Sequence, residues 1–341
     1  MRTYLAPFAI LYAVGVQLRS ASFQRGVLKT TKVKVPVVSI GNITAGGTGK
    51  TPVTAFLAKR FAQDKKRVAI LSRGYKGKVK GVEEVTGESD AARFGDEPAW
   101  LAQELKGIAR VFVGANKVAA AQQAEGCADV MIADDAFQHR YLARDFDLVI
   151  IDATEPLENY FPLPWGQGRE SFSSLSRAHA VVLNKVNLAS EAWLRKVRVL
   201  IRDHARPQIS IFEIAYVIRE VESLKTGERI NLPELAGQKV MLVSGIGRPK
   251  AFEKLFAHFK IDLAEHFVFE DHHIYTKNDF KEIERRAHKQ GVHMIVTTEK
   301  DAVKFKNWEP EIPLFMSRLE LASVQLEDLY ETIRRHILPR N

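Results

Sequence analysis

Short runs of β-branched and aliphatic residues alternate with longer mixed stretches through the first two-thirds of the chain. Val35 to Ile40, Val68 to Ser72, Val111 to Gly114, Val130 to Ala133, Leu148 to Asp152 and Ala180 to Asn184 are nearly continuous apolar runs, as expected of strands covered on both faces. Pro52 to Gln63, Asp96 to Leu105 and Lys117 to Gly126 lie between them and predict helices. This alternation predicts a parallel sheet covered by helices. From Gln208 the pattern changes: SIFEIAYVIREVESLKTGERI has the alternation of a hairpin rather than a crossover. The α/β pattern then resumes with a strand at Val240 to Ser244, helices at Pro249 to Phe259 and Lys277 to Lys289, a strand at Met294 to Thr298 and a last helix at Leu326 to Ile337. Two α/β lobes joined by a β-rich link, with a cleft between them, are therefore expected.

The stretch LAPFAILYAVGVQL, Leu5 to Leu18, has no charge and is flanked by Arg2 and Arg19. Roughly 20 residues are needed to cross a bilayer, so it is too short to span one. A cleaved signal is rejected because a nucleotide-binding motif follows closely, which leaves either a helix packed on the protein's own core or one lying in a membrane interface, with Arg19, Arg25 and Lys29 meeting anionic headgroups.

The 341 residues suit about two domains. Of 50 Lys and Arg, nine precede Asp64, the first acidic residue, leaving 41 bases to face 41 acids in the rest of the chain. The net charge of +9 is thus local to one end, which argues against a uniformly basic nucleic-acid binder and for a local anionic partner. The single cysteine, Cys127, can form neither an intramolecular disulfide nor a cysteine metal cage and reads as a small buried residue.

The strongest motif is VSIGNITAGGTGKTP, residues 38 to 52. A buried strand enters a glycine-rich turn that ends in Lys50-Thr51 and opens a helix, the arrangement of a phosphate-binding P-loop. Thr44, Ala45, Gly46, Gly47, Thr48, Gly49, Lys50 and Thr51 are the candidate nucleotide contacts. Backbone amides would hold the phosphates, Lys50 would reach the β- and γ-phosphates and the Thr51 hydroxyl would bind Mg²⁺. The strict pattern wants glycine where this chain has Thr44, and Ala45 replaces the signature lysine of the partition-type ATPases. The fold class is therefore α/β, with a P-loop nucleoside-triphosphate-hydrolase-like parallel core and a second, smaller α/β lobe. The segments are 1–30, an N-terminal helix; 31–207, the P-loop core; 208–232, the link; and 233–341, the C-terminal lobe.

Asp134 and Asp135 follow an apolar strand, where P-loop proteins keep a carboxylate for Mg²⁺, and His139 and Arg140 lie just beyond. Asp96 and Glu97 open a helix, a position also accounted for by helix capping. Glu270-Asp271-His272-His273 offers an imidazole at the mouth of the cleft that could pair with a carboxylate to orient or deprotonate a substrate hydroxyl. Asn184-Lys185-Val186-Asn187 is close to a guanine-reading motif, but Asn187 replaces its aspartate. ATP is accordingly expected, with Asn184 and Lys185 near the adenine.

These blocks in this order resemble the tetraacyldisaccharide 4'-kinase (lipid A 4'-kinase) family. They are GNITAGGTGKTP at 41–52, LSRGYKG at 71–77, GDEP at 95–98, DDAFQHRYLARDFDLVIID at 134–152, LPWGQGRE at 163–170, DHHIY at 271–275 and TTEKDAVK at 297–304. Ala136 and the Gly166-Gln167-Gly168 loop depart from the family pattern. The resemblance implies transfer of the ATP γ-phosphate to the 4'-hydroxyl of a tetraacyldisaccharide 1-phosphate in lipid A biosynthesis, at the cytoplasmic face of the bacterial inner membrane. It implies a peripheral or monotopic N-terminal anchor, and no nucleic-acid partner is expected. It also implies an Asp–His pair carried by Asp96 and His272. Mg²⁺ would be held by Thr51 and Asp134 or Asp135, with Glu97 as a further ligand. Arg73, Arg140 and Arg169 are candidates for the substrate's 1-phosphate or the transferring group. Competing readings are a membrane-associated nucleotide-switch ATPase, which leaves the His272 region unused, and a P-loop kinase of a soluble sugar or nucleoside.

Overall fold

The computed structural model describes residues 3–75, 77–85, 91–305 and 308–338; Arg2 and Lys76 of the segments above lie outside them. The strands, in chain order, are β1 Val37–Gly41, β2 Val68–Ser72, β3 Val82–Val85, β4 Ala109–Gly114, β5 Val130–Asp134, β6 Phe146–Asp152, β7 Ala180–Asn184, β8 Ser210–Ser223, β9 Arg229–Asn231, β10 Lys239–Ser244, β11 Asp262–Val268, β12 Met294–Thr298 and β13 Leu314–Ala322. The helices are α1 Ala6–Gln24, α2 Lys50–Gln63, α3 Ala91–Phe94, α4 Asp96–Glu104, α5 Lys117–Ala124, α6 Glu191–His204, α7 Pro249–Lys254, α8 Lys277–Gln290, α9 Glu299–Ala302 and α10 Leu326–Ile337.

Among the described residues, these strands join one 13-stranded sheet in the order β11-β10-β12-β13-β8-β7-β6-β1-β5-β2-β4-β3, with β9 paired to β8. The first half is parallel from β2 through β5, β1, β6 and β7 to the start of β8. The second half has parallel β11, β10, β12 and β13. The halves are continuous because β8, 14 residues long, pairs in parallel with β7 over Ser210 to Ile214 and then antiparallel with β13 over Ala215 to Ser223. The link is thus a strand common to both lobes, and β8 and β9 form the expected hairpin.

Strands β1, β2, β5, β6 and β7 are buried at every position, which accounts for their unbroken apolar runs. One face of this half packs against α2, α4 and α10 through Phe61, Leu101, Tyr330 and Ile333. The other is covered by α5 and α6 through Ala120, Ala124, Leu194 and Val197. Helix α10, although it lies at the C-terminal end of the chain, therefore returns to the P-loop half. Three elements differ from expectation. The helix at Pro249 ends at Lys254, β11 occupies a half-exposed edge with Asp262, Glu265 and His266 in its run, and β13 carries Arg318 and Glu320 in its outer half.

Helix α1 buries only Ala9 and Phe23, while Phe8, Ile10, Leu11 and Leu18 are exposed. Its far end is pinned by an edge contact between Phe23 and Tyr141 and by Arg140, whose guanidinium lies 4.8 Å from the Phe23 ring centroid and donates to Ser20. Among the described residues no helix is long and apolar enough to cross a membrane.

Candidate active site

Strand β1 delivers the chain into the turn 42–49, and α2 begins at Lys50. Gly49 adopts φ 82°, and a Cβ there would lie 2.5 Å from Asn184 Nδ2 and closer still to the Tyr216 hydroxyl, so only glycine fits. The turn is braced on both sides. Asn184 donates to the Thr48 carbonyl at 2.9 Å and Tyr216 Oη to the Gly49 carbonyl at 2.7 Å. On the opposite side Arg169 donates to the Thr44 carbonyl, to Asn42 Oδ1 and to Asp135 Oδ2, each at 3.0 Å, while Ala45 N–H donates to the Gln167 carbonyl. These bonds hold the loop open in advance of a phosphate.

Lys50 is 7% exposed and lies 3.5 Å from Asp135. Although burial pushes the Asp135 carboxyl up, Lys50 and Arg169 outweigh it and hold the group below the usual carboxylate range. Asp134, buried at the end of β5, is pushed up to about 7 by burial first and by the nearby Glu97 charge second. Its backbone carbonyl accepts from the fully buried Lys117 at 2.6 Å. Among the described residues no three His, Cys, Asp or Glu side chains are placed to hold a metal by themselves. Mg²⁺ in kinase sites needs only one or two carboxylates beside substrate phosphates. The chemistry here fits that demand: Thr51 is the second residue of α2, Glu97 and Thr51 line one cavity, and buried Asp135 Oδ1 accepts no hydrogen bond, with Lys50 Nζ 3.5 Å away.

The second half of the molecule contributes across the cleft. His272, with φ 62°, places Nδ1 3.1 Å from Asp96 Oδ2. Lys304 Nζ lies 2.9 Å from the same oxygen, and Lys300 lies 3.3 Å from His272 Nε2. Burial raises the Asp96 carboxyl, but the His272 hydrogen bond and the Lys304 charge outweigh it and leave the group lower than usual. His273 instead pairs with Asp279 at 3.1 Å and stacks on Phe269, a local role at the start of α8. A cavity of about 210 Å³ lies between the halves, with Gly47, Gly49, Thr51, Glu97, Lys185 and Lys300 among its walls.

Residues 1–337 match the family model described as Tetraacyldisaccharide-1-P 4'-kinase. The chain belongs to the tetraacyldisaccharide 4'-kinase family. A family member from Bdellovibrio bacteriovorus is 40% identical over 327 residues, 94% of this chain and 95% of that protein. One from Halothermothrix orenii is 32% identical over 349 aligned positions, covering 96% and 90%. The crystal structure of LpxK from Aquifex aeolicus in complex with ATP superposes with a TM-score of 0.75 at 28% identity, covering 98% of this chain and 99% of that one.

Of the residues this 4'-kinase sequence singles out, the fold brings together the loop 44–51, Asp134, Asp135, Glu97, Asn184, Lys185 and Arg169, and it joins Asp96 to His272 across the lobes. Asn184 and Lys185 are largely engaged already. The first grips the loop and Tyr216, and the second pairs with Asp152 at 2.6 Å, although Lys185 still reaches the cavity wall. Arg73 is exposed at the end of β2. Arg140 is not brought to the site: the turn after Gln138 directs it to α1, where it braces Ser20 and Phe23. Sequence reasoning missed Tyr216, Lys300, Lys304 and Lys117. For the two lysines of the TTEKDAVK block, their membership of that block was the one available signal.

Proposed function

We propose that this lipid A 4'-kinase acts through one centre between its lobes, with Lys50 and the loop amides on the ATP phosphates and Asp96 facing the acceptor hydroxyl. The observation that carries this reading is the 3.1 Å contact between Asp96 and His272, residues 176 apart in sequence, beside the cavity that the phosphate loop also lines. Phosphoryl transfer asks a protein mainly for positioning and charge neutralisation. Asp96, ionised and held by His272 and Lys304, accepts the proton of the 4'-hydroxyl as its oxygen attacks the γ-phosphorus, and the bond from that phosphorus to the β,γ-bridging oxygen breaks to release ADP. Lys50 offsets charge on the transferring group. Thr51 and Asp134 or Asp135, with Glu97 adjacent, would hold Mg²⁺, which would add charge neutralisation at the phosphates. Arg73 is available to the lipid's 1-phosphate.

A substrate with four acyl chains stays in a bilayer, and the exposed Phe8, Ile10, Leu11 and Leu18 of α1, near Arg19, suit an interfacial seat at the cytoplasmic leaflet. The deciding assay uses ATP labelled at the γ-phosphate and tetraacyldisaccharide 1-phosphate in detergent. Label in the lipid is expected. ATP hydrolysis without labelled lipid would replace this reading with a nucleotide-switch ATPase.

A further inference from the structure

The turn between β10 and α7, Gly245-Ile246-Gly247-Arg248, touches both halves of the site. At its start, the Gly245 carbonyl accepts the His272 backbone N–H at 3.1 Å, and Gly245 N–H donates to the buried Asp301 at 2.9 Å. A Cβ at Gly247 would lie 3.0 Å from Asp271 Oδ2, so the turn is pressed against the segment that carries His272. At its end, Arg248 crosses the cleft. Its guanidinium meets Glu155 Oε2 at 2.5 Å, Asp152 Oδ2 at 3.4 Å and Thr154 Oγ1 at 2.9 Å. Both carboxylates are fully buried in the P-loop half. Glu155 Oε2 also accepts the hydroxyl of Thr44 in the phosphate loop at 3.3 Å, and Asp152 is shared with Lys185.

Two cations therefore balance two buried anions, and one of those cations comes from the opposite lobe. A forked guanidinium on two acceptors fixes orientation as well as distance. The chain of contacts runs from the His272 backbone through the turn to Arg248, Glu155 and the Thr44 hydroxyl. We propose that Arg248 is a positioning residue, which docks the His272-bearing turn onto the phosphate loop so that the Asp96–His272 pair and the phosphoryl donor are held in register. This rests on the reading of Lys50 and Asp96 given above. Arg248 need not touch the reacting atoms: its loss lets the lobes shift relative to each other, and a small misplacement of reacting groups costs about 10²-fold in rate.

The test measures steady-state transfer to tetraacyldisaccharide 1-phosphate in detergent with the full chain, and melting temperature in parallel. Arg248→Met is expected to lower kcat about 10- to 100-fold, with KM for ATP and for lipid each within about threefold. Arg248→Lys, which keeps charge without the fork, is expected to fall between the two. Because Arg248→Met strands a buried carboxylate and could fail to fold, the double variant Arg248→Met with Glu155→Gln removes both charges. It is expected to fold and to show the same loss of kcat, not the product of two losses. A purely structural brace would lower the melting temperature and leave kcat at low temperature near the wild-type value, and that outcome in either variant overturns the proposal. Lys50→Ala and Asp96→Ala are assayed alongside. Retained turnover in both would overturn the underlying site, whereas wild-type kcat in the Arg248 variants beside inactive Lys50→Ala and Asp96→Ala would overturn this inference alone.

Discussion

Replacing Asp96 by Asn keeps the side chain's shape and removes its charge. In the structure this carboxylate is 12% exposed, 3.1 Å from His272 Nδ1 and 2.9 Å from Lys304 Nζ. A positioned general base contributes about 10² to 10⁴ in rate, or roughly 3 to 5 kcal/mol. Asn can still accept a hydrogen bond but cannot take the hydroxyl proton, so kcat is expected to fall by that factor. KM for ATP is expected to stay within about threefold, because the phosphate loop has its own braces. Stability should fall too. The Lys304 contact at 2.9 Å represents roughly 5 kcal/mol of gross attraction at an effective dielectric of 20, most of it offset by desolvation. Breaking a buried pair costs about 3 kcal/mol at the low end, the relevant end here because Lys304 keeps Asp301 at 3.4 Å. Spread over the unfolding entropy of a chain this size, that is about 4 °C in melting temperature. The sign with pH follows from the lowered carboxyl: its contribution is present above the ordinary carboxylate range and lost as pH falls through the folded value. Asp96→Asn removes that acid limb. Kinetics at saturating ATP and lipid, with calorimetry between pH 3 and 8, read all three. A kcat within tenfold of wild type would refute the proton-acceptor role.

Lys50→Ala is expected to lose nearly all transfer, and turnover retained at saturating ATP would contradict the phosphate-loop assignment. Glu299, pushed up to about 8 chiefly by burial, binds a proton in the folded state that the unfolded chain releases near pH 4.5. Stability should therefore fall as pH rises from about 4.5 to 8, by on the order of 5 kcal/mol. Glu299→Gln should flatten that slope in thermal melts, and an unchanged slope would count against it. Phe8→Ser with Leu11→Ser should weaken sedimentation with anionic lipid vesicles at least tenfold without changing the fold by circular dichroism; unchanged sedimentation would leave α1 without an interfacial role.

Much of the P-loop half was legible because its strands are buried on both faces and carry uninterrupted apolar runs. The loop from Thr44 to Thr51 was legible because a glycine-rich turn that joins a buried strand to a Lys-Thr helix start suits little besides phosphate. The second half was less so. Strand β11 holds Asp262, Glu265 and His266 on a half-exposed edge, and β13 switches from a buried half to one bearing Arg318 and Glu320. The contact between Asp96 and His272 is long-range and has no spacing signature. Family resemblance named it, whereas residue chemistry alone left Asp96 as a helix start. Arg140 shows the converse: its place beside a functional strand end suggested a phosphate ligand, but one further turn of chain aims it at α1. Arg248 gave no signal, because its partners Asp152 and Glu155 lie almost a hundred positions away and become neighbours only when the sheet forms.

Helix α10 has a bearing on how the chain is made. Its Leu329, Tyr330 and Ile333 are fully buried in the core of the phosphate-loop half, Tyr330 Oη bonds Asp64, and Arg60 pairs with Glu327. That core is not closed until residues 326–337 have left the ribosome. Until then Phe61 lacks its edge contact with Tyr330, and β7 waits for β8 with an open edge. The nucleotide-binding half, although its strands β1 to β7 precede the second lobe, therefore cannot acquire its final packing until residues 326–337, which follow that lobe, are available.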